Sequence, residues 1–106
     1  MNISVGQALQ YLKESSREDI MILPHAYDDM YDFDRDIKEE LLYDCLLKRS
    51  DDGIIKQKRN RFRLYYKQEG IRMNYDLIII IEFGITFRNN IKVVTTYEQS
   101  TKRRVR

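Results

Sequence analysis

Apolar residues in this chain recur first at helical spacing and then at strand spacing, and the change falls near Gly53. Ser4-Val5-Gly6-Gln7 has the form of a capping box, and Val5, Ala8, Leu9 and Leu12 follow at a period near 3.6, which predicts a helix over residues 5–15. The polar cluster Ser15-Ser16-Arg17-Glu18-Asp19 ends it, and Ile20-Met21-Ile22-Leu23 reads as a short strand or a loop crossing the core. Pro24 suits a first helical turn, where its missing N–H costs nothing, so a second helix is predicted over 24–33. Ala26, Met30 and Phe33 lie near one side of it, Asp28, Asp29 and Asp32 near the other. Asp36-Ile37-Lys38-Glu39 is a second capping box, and Ile37, Leu41, Leu42, Cys45 and Leu46 make the clearest amphipathic stripe, ending before Gly53.

Beyond Gly53 the period is 2. Strands are predicted over 54–58 and 61–67, joined by a tight turn at Arg59-Asn60; Phe62, Leu64 and Tyr66 alternate with Arg61, Arg63, Tyr65 and Lys67. The stretch Tyr-Asp-Leu-Ile-Ile-Ile-Ile-Glu-Phe over 75–83 is β-branched and apolar in its middle, as expected of a central strand sheltered on both faces. It is expected to kink at Gly84 into Ile85-Thr86-Phe87, turn at Asn89-Asn90 and return as a last strand from Ile91 to Tyr97. The pattern predicts an α+β fold in one domain: N-terminal helices, over 5–49, on one face of an antiparallel sheet of about four strands, over 53–98, then a basic tail. The other face is expected to carry Arg61, Arg63, Tyr65 and Lys67, joined by Lys92, Val94 and Thr96.

Charge sharpens this picture. Residues 1–52 hold 6 Lys or Arg against 13 Asp or Glu, and residues 53–106 hold 13 against 4, so a net +2 hides halves of −7 and +9. A basic sheet face beside an acidic helical layer is the electrostatic footprint of a polyanion-binding protein. The alternative is that the halves attract each other on folding, or pair between subunits in a homodimer. No apolar run approaches the roughly 20 residues of a membrane helix, and no signal-peptide core follows Met1, so a cytoplasmic protein without a membrane partner is expected. One cysteine excludes an internal disulfide, and one histidine with one cysteine cannot build a structural metal site. Asp28, Asp29, Asp32, Asp34 and Asp36 lack the Gly turn and closing Glu of a calcium loop and read as a solvated acidic surface. No metal or cofactor is expected.

The strongest local chemistry is the run Lys56, Lys58, Arg59, Arg61, Arg63, Tyr65 and Lys67. Arginine makes bidentate phosphate contacts and tyrosine stacks on unpaired bases, so their interleaving on a strand suits single-stranded RNA; a solvated face that keeps an edge from aggregating is the plainer reading. Arg88 and Lys92 extend the basic set. His25, the only histidine, is a candidate general acid or base for phosphodiester cleavage or, alternatively, a structural residue hydrogen-bonded to backbone. Tyr97 can stack on a base or assist proton transfer. Cys45 lies on the apolar stripe of the third helix and reads as core.

Helices followed by basic strands, a His25-Ala26 pair opening a helix, and a last strand reading Ile-Lys-Val-Val-Thr-Thr-Tyr-Glu over 91–98 resemble the RelE/ParE toxin superfamily and its small relatives. The resemblance implies a RelE-like architecture and a toxin, held by an antitoxin protein, that acts on RNA or the ribosome. Carried over by position, it implies Arg61 and Arg63 as the catalytic basic residues of the second strand, Arg88 as a further phosphate contact and Tyr97 as the late-strand aromatic; with His25 or Tyr97 transferring protons, a metal-independent endoribonuclease is expected. A non-catalytic nucleic-acid-binding or protein-interaction module is the alternative reading of the same residues.

Overall fold

The computed structural model describes residues 2–31, 37–84 and 90–103. Helix α1, Val5–Glu14, begins at the expected capping box: Gln7 N–H donates to Ser4 Oγ at 3.1 Å and Ser4 N–H to Gln7 Oε1 at 2.9 Å, which satisfies two otherwise orphaned donors. A 3₁₀ turn over Arg17–Asp19 leads into strand β1, Ile20–Ile22. Leu23 N–H then donates to the Val93 carbonyl at 3.1 Å before Pro24 opens helix α2, Pro24–Met30. Helix α3, Glu39–Lys48, has Glu39 and Glu40 in its first turn and Lys48 in its last, each sign favoured by the helix dipole there.

The remaining chain is sheet: β2, Gly53–Lys58; β3, Arg61–Lys67; β4, Tyr75–Phe83; and β5, Ile91–Ser100. The spatial order is β1-β5-β4-β3-β2, antiparallel throughout except for β1, which runs parallel to β5. The α+β class is as the sequence predicts. The fifth strand is the apolar segment that sequence left open between strand and loop.

One face of the sheet forms the core with the helices. Phe62, Leu64 and Tyr66 of β3, Leu77, Ile79, Ile81 and Phe83 of β4, and Ile91 and Val93 of β5 cluster with Ala8 and Leu12, Ala26 and Met30, and Leu42, Cys45 and Leu46. The expected turn at Arg59-Asn60 is present and is tied to β4, with Asn60 Nδ2 donating to the Phe83 carbonyl at 2.7 Å and Phe83 N–H to the Asn60 carbonyl at 2.9 Å. Helix α2 ends at Met30. The rest of its predicted span, the continuation past Gly84 and the Asn89-Asn90 turn lie wholly or partly outside the described residues, and α3 has Lys38 as its N-cap, with no side-chain capping bond, in place of the expected box at Asp36.

The opposite face departs from simple alternation at one point. The pairing runs Ile80 with Thr95 but Ile81 with Val93, so Val94 is the extra residue of a β-bulge. Past it the sides of β5 exchange: Thr96 pairs with Ile79 and is fully buried on the helix side, while Thr95, Tyr97 and Gln99 join Lys92 on the open side. The expected placement of Thr96 on the open face is corrected accordingly.

Candidate nucleic-acid interface

The open face is ordered by strand register into transverse rows. Lys58, Arg61, Glu82 and Lys92 form one; Ile55, Arg63, Ile80 and Thr95 the next; Gly53, Tyr65, Ile78 and Tyr97 the third; Lys67, Asp76 and Gln99 the fourth. Tyr65 and Tyr97 thus flank Ile78, which is 1% exposed although it lies outside the helix-side cluster. The side chains of neighbouring strands shelter this part of β4. Tyr65 lies close over Gly53: a Cβ built there would come within 1.9 Å of the Tyr65 ring, so the edge strand needs glycine to let the ring lie down.

The two arginines of β3 differ. Arg61 Nη2 meets Glu82 Oε1 at 3.2 Å, and both side chains are under one-third exposed, so its charge is matched within the sheet. Arg63 Nη2 instead donates to the neutral amide oxygen of Gln99, whose Nε2 donates to the Arg103 carbonyl at 2.8 Å. That bond orients the guanidinium without cancelling its charge. Lys92 shares a register pair with Glu82, Lys67 is exposed beside Asp76, and Lys58 and Arg59 are exposed at the β2–β3 turn. Lys56 is in register with Phe62, on the helix side, and donates to Asn2 Oδ1. Arg88 lies outside the described residues.

His25 projects from α2, which packs along β5, and is 74% exposed. Its Nε2 lies 3.6 Å from Asp29 Oδ2 one turn later, and the same carboxylate oxygen accepts the hydroxyl hydrogen of Thr95. Helix and sheet are therefore joined by a polar contact at the end of the row that contains Arg63. Thr95 and Arg63 stand on strands separated by β4, about 10 Å apart backbone to backbone. His25, Thr95, Tyr97, Tyr65 and Arg63 border one stretch of surface, while Arg61 belongs to an internal ion pair. Asp29 was expected on a solvated acidic surface and is instead 21% exposed and bonded to Thr95, which the sequence did not single out and which reaches this face only because of the bulge.

Four further titratable groups are tied to structure. Burial pushes the Cys45 thiol up to about 11 and the Tyr66 phenol well above its ordinary value. Glu40, bonded to Arg17, is held below the usual carboxylate range. Arg72 lies over the Tyr75 ring and pairs with Glu98, which keeps its guanidinium protonated. The arginine–carboxylate pairs Arg17–Glu40, Arg61–Glu82 and Arg72–Glu98 each join residues of the same half of the chain. Among the described residues no three His, Cys, Asp or Glu side chains gather as a metal site, and no helix is long and apolar enough to cross a membrane. No family model, curated protein or solved structure matches the chain.

Proposed function

We propose that the open sheet face binds single-stranded RNA and that the α2–β5 border cleaves it, as a toxin-like endoribonuclease working without a metal ion. The observation that carries this reading is the one imidazole beside Asp29, itself bonded to Thr95, at the rim of a face that presents Arg63, Tyr65 and Tyr97. Bases stack on the two tyrosines, and Arg63 holds a phosphate between them and the α2 border. His25 takes the proton of a ribose 2′-hydroxyl, the 2′-oxygen bonds to phosphorus, and the P–O5′ bond breaks. The leaving 5′-oxygen takes its proton from the Tyr97 hydroxyl, and the product is a cyclic phosphate. Arg63 balances charge on the phosphorane-like transition state. Partners on this reading are RNA, free or on the ribosome, and an antitoxin protein that covers the face.

A substrate series in chelator tests it. RNA should be cut and the same strand with 2′-deoxyribose at the cut site should not, while His25→Ala should lose about 10²–10⁴ in rate. Cleavage of the deoxy strand, or full activity in His25→Ala, would overturn the mechanism. The exposure of His25 and the two strand spacings between its border and Arg63 favour a second reading, a non-catalytic RNA-binding module. Salt-sensitive binding with intact RNA would select it.

A further inference from the structure

Asp29 occupies an unusual position for a residue in an acidic helix. Its carboxylate is only 21% exposed, its Oδ2 accepts from Thr95 Oγ1 across the α2–β5 contact, and the same oxygen lies 3.6 Å from His25 Nε2. An exposed i,i+4 pair between two free side chains would hold an imidazole poorly, because each partner samples several rotamers. Here one partner is fixed to the sheet. The carboxylate oxygen has a set place relative to β5, and His25 Nε2 lies beside it.

We infer that Asp29 is the positioning residue of the site: anchored by Thr95, it holds His25 by Nε2 and leaves Nδ1 as the nitrogen that exchanges a proton with the substrate. The inference rests on the ribonuclease reading for its catalytic consequence, but the contact itself does not. A proton arriving at Nδ1 from the 2′-hydroxyl makes an imidazolium, and the carboxylate at Nε2 offsets that charge as it forms. Asp29 touches no substrate. The arrangement has the logic of a base oriented by a third group, with Thr95 as the peg that fixes the orienter.

Because His25 is the only histidine, its imidazole nitrogens give isolated signals in a ¹⁵N spectrum of the whole protein. Three variants separate the parts. Asp29→Ala removes the carboxylate, Asp29→Asn keeps its shape and its bond to Thr95 without the charge, and Thr95→Val cuts the anchor but leaves the carboxylate. Asp29→Ala should move both His25 nitrogen signals and lower kcat for RNA cleavage about tenfold with KM changed less than about twofold, a part of the full contribution of an acid–base group. Thr95→Val should move the signals the same way by a smaller amount, and Asp29→Asn, which also serves should the alanine variant fail to fold, should fall between. Unmoved nitrogen signals in the folded Asp29 variants would overturn the inference even if activity fell, since the loss would then be structural. Should the wild type cleave no RNA, the ribonuclease reading fails, and the nitrogen signals alone still decide whether Asp29 holds His25.

Discussion

At the scale of single residues, the clearest constraint is Gly53. Tyr65 occupies the space a side chain would need, so Gly53→Ala must lift the ring or bend the edge strand. We expect a loss of about 1–3 kcal/mol in denaturant unfolding, the usual range for forced overpacking, together with weaker RNA binding because Tyr65 is moved. Cys45 gives a second test. Its thiol rises from 9.0 to about 11 through burial, so the folded protein keeps a proton that the unfolded chain releases. Stability should therefore be fully present below about pH 9 and fall as pH climbs towards 11, by about 2–3 kcal/mol, with buried Tyr66 acting in the same direction at higher pH. Urea melts across that window check it, and Cys45→Ala should flatten the decline. A flat profile through that window would mean the thiol is not buried.

At the scale of elements, the capping box of α1 is a local device with a local test. Ser4→Ala leaves Gln7 N–H without its acceptor and should cost about 1 kcal/mol in unfolding, whereas Ser4→Asp should cost little. The bulge at Val94 sets the faces of β5 beyond it: deleting the extra residue should restore plain alternation and keep Thr95, Tyr97 and Gln99 on the open face, opposite Ile80, Ile78 and Asp76. RNA binding should then be retained, with β4 and β5 still paired by hydrogen exchange, and loss of binding in a folded deletion variant would contradict this placement. These two elements also show what was legible in the sequence. The capping box, the stripe of α3, the alternation of β3 and the apolar run of β4 are short-range patterns, and each appears where its residues place it. β1 is three residues long and runs parallel to a strand some 70 residues away, so nothing local marks it as a strand. The bulge is one extra residue in an otherwise regular run, and period-2 reading carried straight through it. It is why Thr96 was expected on the wrong face and Thr95 was missed.

At the scale of the whole molecule, the sequence split of −7 and +9 is seen again in the ion pairs. Arg17 finds its acid in the first half, and Arg61 and Arg72 find theirs in the second. Pairing within each half leaves the sign of each half in place, so the acidic helical layer and the basic sheet remain distinct surfaces for a partner. On the proposed function, RNA meets the basic one. Affinity should fall linearly in logarithm with salt, with a slope of about 0.7 per phosphate contacted, and Arg63→Ala should reduce that slope more than Arg61→Ala, whose charge Glu82 already matches.

The claim on which the rest depends is that the open face is the one that meets RNA. Amide and side-chain shift mapping with an uncleavable 2′-O-methyl oligonucleotide tests it most directly. The account predicts changes at Arg63, Tyr65, Ile80, Thr95 and Tyr97, with Lys13 of α1 and Lys48 of α3 unmoved. Shifts centred on the helices, or none at saturating oligonucleotide and low salt, would contradict it.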